Sequence, residues 1–170
     1  ARERLAYDEL LANQLALALV RRGMRQAKGL ATCGDGHLRE QVIEALPFSL
    51  TNSQTGALKE VLDDMETDVR MLRLLQGDVG SGKTVVAAMA ALRAMGNDYQ
   101  VAITAPTELL AEQHLRSFTD WLEPMGLKPE WLSSKVTGKA RETTLTAIAG
   151  GTPLVLGPHA LMQEGVQFKR

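Results

Sequence analysis

The sequence predicts an α/β fold, a parallel sheet flanked by helices with a long helical segment ahead of it, and two patterns predict it. From residue 71 onward short apolar runs alternate with stretches of helical period, in the order strand, helix, strand, helix, strand, helix, strand. Such an alternation builds a parallel sheet whose binding loops gather at the carboxyl ends of its strands. Between the first strand and its helix lie Gln76, Gly77, Asp78, Val79, Gly80, Ser81, Gly82, Lys83 and Thr84, which satisfy GxxxxGK[ST] at every fixed position. A strand before it and a helix after it are the context in which that pattern means a phosphate-binding loop rather than a Gly-rich turn.

Taken in order, residues 1–28 read as one helix. Leu11, Leu15 and Leu19 repeat at four-residue spacing, Leu10 and Leu17 flank them, and charges fill the opposite face. Arg21, Arg22, Arg25 and Lys28 cluster near its end, as a solvated face that complements the helix dipole or as a contact for nucleic-acid phosphates. A loop over 29–36 follows, with Asp35 as a candidate N-cap for a short helix carrying Leu38, Val42 and Ile43 that stops before Pro47. Two readings stand for residues 48–54. Thr51 and Gln54 form a capping box opening a helix with Leu58, Val61, Leu62 and Met65 on one face, or Gln54 reads the donor–acceptor edge of adenine while Phe48 stacks on the base. Residues 71–75 are the strand entering the phosphate loop, and 85–95 the helix leaving it.

A turn at 96–98 leads to a buried strand at 100–105, ended by Pro106, and Thr107 caps a helix running to about Trp121. Trp131 and Leu132 begin another strand, which Pro129 places at an edge or bulge. Residues 133–141 read as a polar, basic loop before a helix to Ala149, and 154–156 as a last short strand ending at Gly157, Pro158 and His159. Trp121 and Trp131 are expected to anchor packing rather than stack on bases.

The loop's residue types define its chemistry. Its glycines let successive backbone N–H groups point inward at phosphate oxygens, and the helix after it presents the positive end of its dipole to the same anion. Lys83 reaches the terminal phosphates and the Thr84 hydroxyl holds Mg²⁺. Hydrolysis needs more, an acidic pair ending an apolar strand to complete the metal site and orient water. After Thr84 no apolar run ends in Asp-Glu, and Asp63 and Asp64 sit on an amphipathic helix before the loop. The sequence therefore predicts nucleotide binding without hydrolysis by this chain alone.

Composition narrows the setting. A net charge of −1 offers no global basic field, so any nucleic-acid contact must come from local patches. The single cysteine, Cys33, excludes an internal disulfide and a Cys-based zinc site and suits a reducing cytoplasm. The apolar run 15–20 is too short to span a membrane, and no signal peptide is visible. A helix that starts at Ala1, with no methionine, suggests a piece of a longer chain.

Residues 77–84 taken with 105–114, which read Ala105, Pro106, Thr107, Glu108, Leu109, Leu110, Ala111, Glu112, Gln113 and His114, resemble the RecG branch of superfamily 2 DNA helicases. The likeness extends to 48–54, similar to the family's adenine-reading Q motif, to the helix around Leu5, Tyr7 and Leu11, and to Gly157, Pro158, His159 and Ala160, where the family has a GTHA motif. It implies a P-loop NTPase (RecA-like) partial lobe in 47–170, ending before the acidic Walker B motif, with 1–46 as a helical strut between a wedge domain and the motor. It implies ATP and Mg²⁺ as cofactors, held by Phe48, Gln54 and 77–84, with Lys83 and Thr84 as catalytic residues. DNA contacts fall to Pro106, Thr107, Lys139, Arg141 and His159. The whole protein would be a monomeric, cytoplasmic, nucleoid-associated motor that regresses forks and migrates Holliday junctions, with no membrane partner. Two departures stand out. Ser133 and Ser134 replace a Thr-Gly pair, restricting a backbone that in relatives can take positive φ, and Pro158 replaces a threonine, removing a hydroxyl and an N–H. The alternatives are a non-catalytic nucleotide-binding module and the transcription–repair coupling translocase.

Overall fold

The computed structural model describes residues 2–26, 28–34, 36–163 and 165–169, with the backbone alone for residues 2, 3, 5, 6, 21, 22 and 24–26. The first element is α1, Arg2–Gln26, built from Leu, Ala, Arg and Gln, all strong helix formers. It is about 37 Å long at ~1.5 Å per residue. Every side chain from Tyr7 to Val20 is exposed, so the leucine stripe lies against no other element. The Arg21, Arg22 and Arg25 side chains and the Asp35 cap fall outside the described residues. Gly36, at φ 82°, takes the N-cap position of α2, His37–Ala45.

Thr51 caps α3, Asn52–Met65, with both halves of the capping box formed: Thr51 Oγ1 accepts from the Gln54 N–H at 3.3 Å, and Gln54 Oε1 accepts from the Thr51 N–H at 2.8 Å. Helix α4, Lys83–Met95, starts two residues earlier than its apolar run, because Gly82 turns the chain into it from the left-handed region. Next come β1 (Val101–Thr104), α5 (Glu108–Leu122), β2 (Glu130–Trp131), α6 (Gly138–Gly150) and β3 (Leu154–Gly157).

The three strands are parallel in the order β1–β3–β2, with Val101 opposite Leu154 and Trp131 opposite Leu156. The last strand in sequence is thus the central one, and its Leu154, Val155 and Leu156 are at most 1% exposed. Pro129 does precede an edge strand. On one face of the sheet Leu154 and Leu156 join α2, α3, α4 and α5 in the main core with Val42, Leu58, Met89 and Phe118. On the other, Val155 packs with Leu132, Ile148 and Leu161. Trp121 and Trp131 both pack against the main core, and the Trp121 ring lies 5.6 Å from that of Phe118.

Two expectations fail. Residues 71–75 carry no ladder and no regular structure; Leu72 and Leu74 are 64% and 85% exposed while Leu75 touches the core. An apolar run sets a local preference, but a strand needs a neighbour, and among the described residues none lies beside this one. The basic loop 133–141 is shorter than its composition suggests: Lys139, Ala140, Arg141 and Glu142 are good helix formers and extend α6 back to Gly138, so Lys139 and Arg141 stand in its first turn.

One buried charge was not anticipated. Arg93, in the last turn of α4 and 8% exposed, donates from Nε to the Thr32 carbonyl at 2.7 Å, from Nη1 to the Gly34 carbonyl at 2.9 Å, and from Nη2 to the Glu66 carboxylate. All three acceptors lie outside α4.

Phe118→Ala opens a cavity in the main core and should cost about 3–5 kcal/mol of unfolding free energy. A urea titration followed by Trp121 fluorescence measures it; an unchanged midpoint would contradict the packing described.

Candidate functional site

The phosphate-loop pattern folds as a compact turn at the amino terminus of α4. Gly80 and Gly82 have φ of 82° and 80°, values that side chains disfavour, and the Ser81 N–H donates to the Asp78 carbonyl at 3.2 Å. Lys83 folds back into the loop, its Nζ donating to the carbonyls of Gly77 at 2.7 Å and Asp78 at 2.6 Å. Thr84, half-buried, is the next residue. The leading N–H groups of a helix have no partner within it, so this end of α4 offers donors and a partial positive charge beside a fixed ammonium. That set of groups suits an anion with several oxygens.

Gln54 serves this loop as well as its own helix. While Oε1 completes the capping box, Nε2 donates to the Ser81 carbonyl at 2.8 Å. The two readings of 48–54 are therefore compatible at this residue: one N–H and one lone pair of the amide remain for a base edge. Gln54, Leu75, Gly77, Asp78, Ser81 and Lys83 share one cavity of about 420 Å³. Phe48, 48% exposed, lies elsewhere, in a groove of about 830 Å³ between α2 and α3 with Ile43, Leu46, Leu58 and Leu62. Among the described residues, none from 76–84 lines that groove.

Acidic residues do not gather at the loop. Asp63 pairs with Lys59 at 2.6 Å, and Arg73 holds both Asp64 and Glu60 at 2.7 Å on the exposed side of α3. Among the described residues no group of three His, Cys, Asp or Glu is placed to hold a metal ion. Thr84 remains the hydroxyl at the loop suited to one.

A second set of residues collects at the carboxyl ends of the strands. Pro106 is exposed after β1, and Thr107 caps α5, its Oγ1 accepting from the Leu110 N–H at 3.3 Å. The next residue, Glu108, pairs with Lys135 at 2.7 Å, tying the end of β1 to the turn after β2. The hydrogen bond from Lys135, then that from Ser133, holds the Glu108 carboxyl below its usual range, and Glu108 in turn raises the Lys135 ammonium. Ser133 is fully buried and accepts from the Lys135 N–H at 3.3 Å. Asp98 is the one non-glycine with positive φ among the described residues, so Ser134 sits in an ordinary conformation and lacks the strain its replacement of glycine suggested. Lys139 and Arg141 occupy the first turn of α6, where the helix dipole disfavours cations, and His159 is exposed after β3 beyond Pro158. The structure thus gathers Gln54 with the loop and separates Phe48 from it, while Pro106, Thr107 and His159 follow the carboxyl ends of β1 and β3 and Lys139 and Arg141 begin α6. Sequence reasoning missed the Gln54–Ser81 contact, which no spacing announces. It also missed Arg93, whose signal was the one charge in the otherwise apolar run 85–95.

Known proteins resemble this chain throughout. The DEAD/DEAH box helicase family profile matches residues 51–169. The chain is 47% identical over 169 residues to an ATP-dependent DNA helicase RecG of Escherichia coli O157:H7, spanning 99% of this chain and 24% of the relative. It is 43% identical over 171 residues to the protein of that name from Bacillus subtilis (strain 168), spanning 99% and 25%. The solved structure of a RecG bound to a three-way DNA junction covers all of this chain and 24% of its own, at 41% identity and a TM-score of 0.89. The chain therefore spans about a quarter of the length of these relatives.

A Cβ at position 82 would suffer twice, from the left-handed backbone and from collision with the Gln54 amide. Gly82→Ala should destabilise the fold by about 1–3 kcal/mol, and adding Gln54→Ala should relieve part of that loss but not all. A double-mutant cycle by urea denaturation checks this; strict additivity would mean that the two residues do not meet.

Proposed function

This chain belongs to the DEAD/DEAH box helicase family, and on that premise we propose that it is the nucleotide-binding part of an ATP-dependent DNA helicase that remodels branched DNA in recombination and repair, regressing forks and migrating Holliday junctions. The observation that carries the reading is the meeting of Gln54 and Lys83 in one cavity, in a chain alike from end to end to proteins named as RecG helicases. The left-handed glycines, the ammonium of Lys83, the hydroxyl of Thr84 and the start of α4 are the groups a triphosphate with Mg²⁺ requires. Residues 77–84 would hold the phosphates, Thr84 the metal, and the free half of the Gln54 amide the adenine edge. Phe48 is assigned the base's stacking face from the groove beside α3. When bound, ATP supplies the phosphoryl bond whose hydrolysis drives motion. Lys83 and Thr84 are the catalytic residues this chain contributes, neutralising and orienting the phosphates.

The strand-end group is assigned to the DNA backbone. Pro106, Thr107, Lys139, Arg141 and His159 would position a strand without reading its sequence. Cations placed against a helix dipole need an anion to justify them, and a phosphate diester is one. Residues 1–46 are the strut from a wedge domain and 47–170 the start of the motor lobe, although Val42 of α2 and Leu46 just after it already lie in the lobe's core. The whole protein would act as a monomer in the cytoplasm at the nucleoid. Among the described residues no helix is long and apolar enough to cross a membrane.

A fluorescent ATP analogue with Mg²⁺ should bind this chain, and Lys83→Ala should weaken binding about 10- to 150-fold through loss of charge-assisted hydrogen bonds. Equal affinity for both would sink the assignment of the loop. No ATP turnover is expected from this chain, with or without DNA, and Lys83-dependent turnover would refute the argument from the missing acidic pair. In the intact helicase Lys83→Ala should abolish fork unwinding yet leave junction binding within about threefold, because DNA affinity is spread over many phosphate contacts. Parallel loss of both would make the loop structural.

A further inference from the structure

We propose that Arg93 is a positioning residue that couples the phosphate-loop site to the amino-terminal helix α1, so that a ligand in the loop and a load on α1 each change the energy of the other. The inference rests on the nucleotide reading above and adds a route by which that site communicates with the strut.

The described side chains of α1 are exposed, and the chain joins the lobe just beyond it. Lys28 bridges antiparallel to Val69, and the Gly29 N–H donates to the Asp68 carbonyl at 2.6 Å. Thr32, buried, donates both its N–H at 2.8 Å and its hydroxyl at 3.1 Å to the Met65 carbonyl. Glycine is required at 29, because a Cβ there would meet the backbone of Val69 and Arg70 at 2.6–2.8 Å, where neither side can yield.

From this joint two rods lead to the loop. Helices α3 and α4, of 14 and 13 residues, are each about 20 Å long at ~1.5 Å per residue. Both begin at the phosphate loop, α3 through the Gln54 bond to Ser81 and α4 through Gly82 itself. Both end at the joint, α3 with Met65 and Glu66, α4 with Arg93. The Gln54–Ser81 bond links the near ends and the Arg93–Glu66 ion pair links the far ends, making a closed frame. Thr32 is bonded to both rods at once, donating to Met65 and accepting from Arg93.

Close packing makes each rod move as a body, so a displacement of Ser81 and Gly82 on anion binding shifts one rod against the other. The far links must absorb that shift. A buried guanidinium does not part from its acceptors cheaply, so Arg93 follows α4 and carries residues 32–34 with it. Arginine suits the task because its planar fork presents Nε, Nη1 and Nη2 to three separate acceptors, where the point charge of lysine cannot. Coupling of this kind is reciprocal: a pull on α1 must change affinity at the loop by the factor with which a ligand stiffens the joint.

The test is amide hydrogen exchange on this chain with and without saturating ADP and Mg²⁺, read at the Gly29 and Thr32 amides. In the wild type, nucleotide should slow both by about fivefold, the lower end of usual coupling factors. In Arg93→Lys, and in Glu66→Gln as an independent and milder variant, ADP affinity should stay within twofold of wild type while that slowing disappears. A merely structural Arg93 would raise exchange with and without nucleotide alike and leave the slowing in place, which overturns the proposal. So does unchanged exchange in a wild type that demonstrably binds ADP. Failure to bind ADP at all would instead overturn the nucleotide reading, and the coupling with it.

Discussion

Burial of α4 on nearly every side is the constraint from which the rest of this structure follows. Val85, Val86, Ala88, Met89, Ala91, Leu92 and Met95 are all inside, and only a narrow line of small residues, Ala87, Ala90 and Ala94, reaches solvent. A helix this apolar must be covered by other elements, and here α2, α3, α5 and the sheet pack against its buried faces. Its polar groups can then be met only at its two ends. At the first, the leading N–H groups and a left-handed glycine offer donors suited to an anion. At the second, Arg93 reaches out to three acceptors on other segments. The donors at the loop and the anchorage through Arg93 thus both follow from the burial of the apolar faces between them.

The order of the sheet adds a second constraint. Because β3 is central yet last in sequence, neither β1 nor β2 can be covered in its final form until residues 154–157 arrive. Two crossovers, through α5 and α6, bring all three strands in parallel, and their carboxyl ends necessarily emerge on one side. Residues separated by some fifty positions, such as Thr107 and His159, share that side for topological reasons. The Glu108–Lys135 pair then ties two of the three strand ends together.

Most of this was legible in the residues, and the misses have physical causes. Period and punctuation placed α3, α4 and α5, because Thr51 and Thr107 cap helices by local chemistry that needs no tertiary partner. The phosphate loop was legible because its backbone demands glycine at fixed positions. Residues 71–75 were misread because pairing is a property of a neighbour, and Lys139 and Arg141 because charge was taken for loop where helix propensity decided. Ser134 shows the opposite error: a substitution that looked costly proved neutral once its backbone angles were known. Thr32 and Arg93 lie 61 residues apart, and no local pattern reports such a bond. The capping box at Gln54 was foreseen, but its second bond, to Ser81, is likewise a long-range fact.

The hold of Gly77 and Asp78 on Lys83 has a kinetic meaning. The ammonium is already satisfied by two backbone carbonyls, so a phosphate arriving at the loop exchanges acceptors rather than supplying missing ones. The affinity contributed there is the difference between charge-assisted bonds to phosphate and bonds to neutral carbonyls, and it favours the phosphate. The same economy works in reverse. When a phosphate leaves, the same two carbonyls stand beside the ammonium to take it back. A loop that holds its own lysine in reserve trades one set of acceptors for another and never has to hold the charge unpaired.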